Sequence, residues 1–142
     1  MKLLIINGPN LNLLGKREPE VYGIESLDQI ILWVTKQVDN AKSDLQWFQS
    51  NSEGEIINKL HWAFESRFNG IIINPGAYTH YSYAIRDAIS AIKIPTIEVH
   101  LSDINSREDF RKTSVIKEVT ITQISGEGKE GYLKAINLLL EY

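Results

Sequence analysis

The sequence contains no cysteine, and that absence alone excludes several classes of protein. Disulfide scaffolds, cysteine nucleophiles and cysteine-ligated metal sites are impossible, which leaves three histidines for catalysis or metal binding. Basic residues are also few, with 15 Lys and Arg against 18 Asp and Glu and a formal net charge of -3. Since no basic run is present to neutralise phosphates, nucleic acid is not an expected partner.

Long hydrophobic runs are missing as well. The apolar stretch at residues 3–6 is far too short for the core of a signal peptide or for a membrane span. We therefore expect a soluble, cytoplasmic protein with no membrane partner. The 142 residues, 43% of them hydrophobic, are enough for one domain with a core, so a single domain over residues 1–142 is predicted.

Short runs of Ile, Leu and Val alternate with stretches of helical periodicity, which is typical of parallel strands joined by crossover helices. Continuous apolar runs at 3–6, 71–73 and 96–99 predict strands 1, 3 and 4, buried on both faces. Residues 45–49 and 119–124 alternate more with polar residues, which favours strands 2 and 5 nearer the edges. We predict an α/β fold, a flavodoxin-like three-layer sandwich whose five-stranded parallel sheet has the order 2-1-3-4-5 with helices on both faces.

Apolar residues at helical spacing predict four helices, over residues 27–38, 57–68, 85–92 and 132–140, with a further short helix at 107–110. Ser26 followed three residues later by Gln29 predicts a capping box at the start of the first helix. Asn69-Gly70 predicts the end of the second.

The loops after strands 1, 3 and 4 carry the chemically unusual residues. Ligands of open α/β sheets bind beyond the carboxyl ends of the strands, so these loops should form one rim. The loop at residues 7–23 is much longer than the roughly two to six residues usual for such connections. Its composition predicts a hinged lid that brings Arg17 and Tyr22 over a pocket. Asn74, His80 and His100 come from the other two loops.

This rim has the groups needed to remove a proton next to a ketone and then expel a hydroxyl. Tyr22 becomes a usable base if the neighbouring Arg17 favours the phenolate. Asn10 has two candidate roles, to fix a water or to donate to the enolate oxygen. His100, oriented by Glu98, is the candidate acid for the departing hydroxyl.

An anionic small-molecule substrate is expected at the rim. Arg111 and the backbone N–H groups of Leu101 and Ser102 remain to hold it. The sequence offers no His, Asp and Glu set at metal-ligand spacing. The glycines of residues 126–131 and the Gly-Lys pair at 15–16 resemble phosphate-binding loops, but both lack required partners. Neither a metal nor a nucleotide cofactor is therefore predicted.

Each candidate residue also has a purely structural interpretation. Tyr22 beside Gly23 suits a turn, and Arg17 suits a solvated loop. His80 suits a helix cap, and His100 suits a buried imidazole bonded to its neighbours. The concentration of these residues at one rim is what favours an enzyme.

Several long motifs resemble those of the type II 3-dehydroquinate dehydratases, and the similarity covers nearly the whole chain. They are residues 7–15 with Arg17-Glu18-Pro19 and Tyr22-Gly23, Gln49-Ser50-Asn51, residues 74–80, Arg86-Asp87-Ala88, and residues 98–102 with Arg107-Glu108 and Phe110-Arg111. The resemblance implies a hydro-lyase that eliminates water syn from 3-dehydroquinate, giving 3-dehydroshikimate through an enolate, without a cofactor. It implies a place in the shikimate pathway of aromatic amino acid biosynthesis, with quinate breakdown as the alternative.

The same resemblance implies a role for each matching residue. Tyr22 would be the base, Arg17 its activator, Asn10 the holder of a water, and His100 the acid oriented by Glu98. Substrate contacts would come from Asn74, His80, Leu101, Ser102 and Arg111. Asp87 would reach the site of a neighbouring subunit, in trimers that assemble into a dodecamer. Ser52, Tyr81 and Asp103 depart from the usual family pattern.

The predicted fold is also compatible with a different class of function. A flavodoxin-like binding module, or a structural assembly subunit without catalysis, is the alternative that the fold allows. A phospho-receiver needs acidic residues after strands 1 and 3, but this chain has Asn7 and Asn74 there. A flavin carrier needs a short phosphate-binding loop after strand 1, not the long one present.

Overall fold

The computed structural model describes residues 1–21 and 23–142, and of Tyr22 the backbone only. Five strands form the sheet: β1 Lys2–Asn7, β2 Asp44–Gln49, β3 Gly70–Asn74, β4 Thr96–His100 and β5 Thr122–Ser125. Their order is β2-β1-β3-β4-β5 and every neighbouring pair is parallel. This confirms the predicted α/β fold and the predicted strand order.

Helices cover both faces of this sheet. They are α2 Leu27–Gln37, α3 Glu53–Glu65, α4 Tyr83–Ile92 and α5 Glu130–Glu141, while a further short helix, α1 Pro19–Tyr22, belongs to the long loop after β1. Leu3 and Ile5 of β1 pack in one apolar cluster with α2 and α5, whereas Leu4 and Ile6 pack in a second with α3 and α4. Alternate side chains of a strand point to opposite faces, so the continuous apolar runs follow from burial on both sides.

The start of α2 is fixed by the capping box that the sequence predicts. The hydroxyl of Ser26 accepts a hydrogen bond from the Gln29 backbone N–H at 3.1 Å, and the Gln29 side chain accepts one from the Ser26 N–H at 2.8 Å. Two N–H groups at the helix end are thereby satisfied. The capping box sets the point at which the long loop after β1 rejoins the fold.

Three predicted boundaries were wrong. Strand 5 begins at Thr122 instead of residue 119, because Lys117–Val119 forms a 3₁₀ turn. The second predicted helix ends at Glu65, and Gly70 is the first residue of β3. A Cβ on Gly70 would lie 2.9 Å from the Leu3 side chain, so this glycine makes room for packing and does not terminate the helix. The short helix predicted at 107–110 is instead a 3₁₀ segment, Asp109–Lys112.

The loops after β1 and β3 touch where each leaves the sheet. The Gly8 N–H donates to the Asn74 carbonyl at 2.8 Å, and a Cβ on Gly8 would lie 2.6 Å from the Pro75 oxygen. Only a residue without a side chain permits this approach. The contact places the beginning of the long loop directly beside the end of β3.

In the part of the chain that is described, none of the helices has the length and apolar character needed to cross a bilayer.

Candidate active site

A cleft of about 130 Å³ lies at the carboxyl ends of the strands. It brings together eight of the residues predicted for the site: Asn10, Arg17, Asn74, His80, His100, Leu101, Ser102 and Arg111. The apolar part of the wall includes Leu11, Leu14 and Ile104, which are all buried. The cleft therefore combines an apolar floor with polar groups contributed by three separate loops, as small-molecule sites do.

His100, the last residue of β4, is held against Glu98 of the same strand. Its Nε2 lies 2.5 Å from Glu98 Oε2, and the two residues are 6% and 0% exposed. A carboxylate accepts hydrogen bonds, so Nε2 carries the proton in this pair. The second ring nitrogen, Nδ1, is then the one through which His100 can exchange a proton with a molecule in the cleft.

Glu98 is buried, yet both oxygens of its carboxylate accept hydrogen bonds. Thr79 donates to Oε2 at 2.5 Å, and Ser114 donates to Oε1 at 2.8 Å. Burial acts to raise the pKa of Glu98, but the hydrogen bonds from His100, Thr79 and Ser114 outweigh it, so the pKa lies below its ordinary value. The ionised Glu98 accepts the Nε2 hydrogen bond and so fixes the orientation of the imidazole, which suits a positioned acid.

Removing the charge of Glu98 should change the stability of the protein at acidic pH. Because the pKa of Glu98 is lower in the folded than in the unfolded chain, its stabilising contribution is complete above the ordinary value of 4.5 and disappears as pH falls through the folded value. We expect the free energy of unfolding of the wild type to fall more steeply than that of Glu98→Gln between about pH 6 and pH 3.

Urea denaturation across this range measures the difference. Glu141→Gln, which removes an exposed carboxylate at the end of α5, is the control and should follow the wild type. Parallel acid-side slopes for Glu98→Gln and the wild type would contradict the proposed ionisation of Glu98.

His80 lies across the cleft in the 3₁₀ segment Gly76–His80 that follows β3. Its Nδ1 is 2.7 Å from the Thr113 carbonyl, which can only accept, so Nδ1 carries the proton. Burial lowers the pKa of His80, and the positive charge of Arg111 adds to this, although the bond to Thr113 opposes it. His80 is thus suited to accept a hydrogen bond at Nε2 from a hydroxyl in the cleft.

Three arginines line the cleft, at positions 17, 107 and 111. Arg17 pairs with Glu18 at 3.0 Å, and Arg111 Nε lies 2.5 Å from Glu108 Oε2. Both acidic partners are largely exposed at the outside of the site. The wall is therefore suited to bind an anion.

The long loop after β1 is anchored in the segment that precedes Arg17. Leu11 and Leu14 are 7% and 3% exposed and join the core cluster of α2 and α5. Asn10 has a left-handed backbone, with φ of 69°, and its N–H donates to the Asn51 side chain at 3.0 Å. These contacts hold Asn10 at the mouth of the cleft.

Leu101 and Ser102 continue from β4 and form the cleft wall next to His100. The Leu101 carbonyl accepts from the Gly128 N–H at 3.0 Å, and the Leu101 side chain is buried. The segment is therefore fixed from behind, with its backbone available at the cleft.

Three predicted residues are not among those that line the described cleft, and one of them, Glu98, lies behind His100, to which it is hydrogen-bonded. Asp87 is exposed on α4, away from the cleft of its own chain. The Tyr22 side chain, the predicted base, lies outside the described residues. Three departures from the family pattern, Ser52, Tyr81 and Asp103, are absent from the described lining; Ser52 instead caps α3 by accepting from the Glu55 N–H at 3.2 Å.

Sequence reasoning missed several residues that support the site. Thr79 and Ser114 bind Glu98, and Arg107 lines the cleft without having been assigned a role. The position of Thr79 next to His80 was the one available signal, whereas nothing in the sequence marks Ser114. Among the described residues, no group of three or more His, Asp or Glu side chains is placed to hold a metal ion.

Comparisons with known proteins agree with this geometry. The family model described as dehydroquinase class II matches residues 1–140. A 3-dehydroquinate dehydratase of Clostridium perfringens strain SM101 is 52% identical over 142 residues, covering 100% of this chain and 97% of its own. One from Caldicellulosiruptor saccharolyticus is 53% identical, covering 99% and 97%.

Solved structures give the same result. A type II dehydroquinase from Butyrivibrio crossotus superposes with a TM-score of 0.95 at 48% identity, covering 98% of this chain and 97% of that one. A type II dehydroquinase from Propionibacterium acnes gives a TM-score of 0.94 at 36% identity, covering 99% and 97%. With matches of this extent in both sequence and structure, the chain belongs to the class II dehydroquinase family.

Proposed function

We propose that this protein is a 3-dehydroquinate dehydratase, a hydro-lyase that removes water from 3-dehydroquinate to give 3-dehydroshikimate. The observation that carries the proposal is the ionised Glu98 bound to His100 in a cleft that three arginines also line. This arrangement supplies an acid for a departing hydroxyl beside a site for an anionic substrate. Its place is the shikimate pathway of aromatic amino acid biosynthesis.

The reaction begins at the carbon next to the ketone. Tyr22, as the phenolate, takes a proton from that carbon, and the electron pair moves to the ketone oxygen to form an enolate. Arg17 lines the cleft and favours the phenolate by its positive charge. The support for Tyr22 itself is the match of its motif to the family.

The enolate then collapses and expels the hydroxyl. The carbonyl re-forms, the carbon–oxygen bond breaks, and His100 delivers a proton so that the group leaves as water. Asn10 holds the water that stabilises the enolate oxygen. Glu98 keeps His100 in place through the hydrogen bond to its Nε2.

The remaining residues of the cleft bind the substrate. The backbone of Leu101 and the residue Ser102 hold its carboxylate, and Asn74 contacts the carboxylate and the neighbouring tertiary hydroxyl. His80 and Arg111 bind the ring hydroxyls, for which the Nε2 of His80 is a suitable acceptor. No cofactor takes part.

The working form we propose is a cytoplasmic homo-oligomer of trimers assembled into a dodecamer. Each chain forms a single catalytic domain over residues 1–142. Asp87 is exposed on α4, so it is accessible to the site of a neighbouring subunit in such an assembly. That contact would complete each cleft with one residue from another chain.

The proposal is tested by mixing the purified protein with 3-dehydroquinate and recording the absorbance of the conjugated enone in the product. We expect turnover that is unchanged by EDTA and by borohydride added with the substrate, because neither a metal nor an imine takes part. Inactivation by either reagent would require a different mechanism. Absence of turnover would overturn the proposed function and favour a non-catalytic assembly subunit.

A further inference from the structure

A buried series of hydrogen bonds joins Asn74 to Tyr132 and Asn7, two residues that have no part in the reaction described above. Tyr132 of α5 is fully buried, and its hydroxyl donates to Asn7 Oδ1 at 2.5 Å. The same hydroxyl accepts a hydrogen bond from Asn74 Nδ2 at 3.2 Å. Asn7 and Asn74 are themselves 1% and 3% exposed.

The sheet explains why these three side chains meet. Asn7 and Asn74 are paired residues at the ends of the neighbouring strands β1 and β3. Paired residues of adjacent parallel strands point to the same face, and α5 packs on that face with Tyr132 directed at the sheet. The Tyr132 ring also contacts Trp47 of β2, with centroids 5.7 Å apart, which fixes its hydroxyl over the two strand ends.

The single proton of the Tyr132 hydroxyl determines which group donates and which accepts in each of these hydrogen bonds. Tyr132 gives its proton to the Asn7 oxygen, so only the NH₂ group of Asn74 can face Tyr132 favourably. The Asn74 oxygen is directed to the Gly76 N–H at 3.3 Å. One of the two hydrogens on Asn74 Nδ2 is left for a molecule in the cleft, which Asn74 lines.

The hydrogen bond from Tyr132 explains why residue 7 is an asparagine, although burying its amide group destabilises the fold. Its Nδ2 is buried and has no hydrogen-bond partner among the described residues. A buried donor without a partner destabilises a fold, so a leucine of similar shape would be better for packing alone. Asparagine supplies the oxygen that receives the Tyr132 proton. Burial also raises the pKa of Tyr132, so the hydroxyl keeps that proton and acts only as a fixed hydrogen-bonding group.

We propose that Tyr132 is a positioning residue that, anchored by Asn7, sets the orientation in which Asn74 presents its amide N–H to the substrate. This inference rests on the proposed function, because Asn74 is the residue through which Tyr132 acts. It assigns a role in substrate binding to a helix that contributes no lining residue to the described part of the cleft.

The first test is the kinetics of Tyr132→Phe, which removes the hydroxyl and keeps the ring. We expect kcat/KM for 3-dehydroquinate to fall by roughly tenfold to a hundredfold, mainly through a higher KM. The pH profile of kcat should stay that of the wild type, since the acid and base are untouched. Thr96→Val is the matched control, because it removes a buried hydroxyl at the opposite end of the sheet. It should keep kcat/KM within about twofold of the wild type.

A double-mutant cycle separates positioning from a general effect on the fold. If Tyr132 acts through Asn74, Tyr132→Phe should lower kcat/KM by less than about twofold in an Asn74→Ala background. Asn7→Leu is a second variant that does not depend on the folding of Tyr132→Phe. We expect it to raise KM, because the Tyr132 hydroxyl loses the acceptor that fixes its direction and no longer holds the NH₂ group of Asn74 in place.

Two results would overturn the inference. One is wild-type kcat/KM in Tyr132→Phe, and the other is multiplication of the Tyr132 and Asn74 effects in the double mutant. Lack of turnover by the wild type is a separate outcome that removes the proposed function instead.

Discussion

Replacing His100 with alanine is expected to lower kcat for the dehydration of 3-dehydroquinate about 10³-fold. Hydroxide is a poor leaving group, so the variant must expel it without a positioned acid. His100 is held by Glu98 through Nε2, and Glu98 is held in turn by Thr79 and Ser114. A solvent proton has no comparable placement, whereas most of the contacts that bind the substrate remain. KM should therefore change much less than kcat.

Initial rates over a range of substrate concentrations measure both parameters. His61→Ala is the matched control, because His61 is exposed on α3 and away from the cleft, and it should behave as the wild type. A kcat for His100→Ala within tenfold of the wild type would remove His100 from the acid role.

Replacing Tyr22 with phenylalanine is expected to reduce kcat by about 10³-fold or more. The change removes one oxygen and with it the base that takes the proton from carbon. The arginine-lined cleft is unchanged, so the variant should bind the substrate within a few-fold of the wild type. The separation of binding from turnover is the signature of a group that acts in the transition state.

Steady-state rates, together with direct titration of substrate binding to the inactive variant, test this expectation. Tyr142→Phe removes an exposed tyrosine hydroxyl at the end of the chain and should have no effect on either quantity. Full activity of Tyr22→Phe would show that another group takes the proton.

The sheet was predictable from the sequence because the central strands are apolar along nearly their whole length and must therefore lie in the core. β1, β3 and β4 are covered on both faces, and their apolar runs have no other plausible location. The start of β5 was misplaced because Val119 is apolar for a different reason, as it packs against the α3 and α4 cluster from a 3₁₀ turn. A pattern of apolar residues records burial, but it does not say which element is buried.

The candidate site was predictable to the extent that it depends on the ends of strands. Asn74 and His100 are the last residues of the buried strands β3 and β4, and the sheet topology brings the ends of these strands together. The groups behind them were not predictable. Tyr132 fits an apolar face of α5, and nothing in its spacing shows that its hydroxyl meets two asparagines from distant parts of the chain. Such partners are set by the tertiary packing.

The pairing of Asn7 with Asn74 has a consequence for how the molecule acquires activity as it folds. If β1 slipped by one residue along β3, all its side chains would exchange faces, and Asn7 would turn away from Tyr132. A misaligned chain could still collapse and bury much of its apolar surface, but it would present Asn74 wrongly. Recovery of catalysis during refolding should therefore report correct strand alignment, at a stage that recovery of secondary structure alone does not reveal.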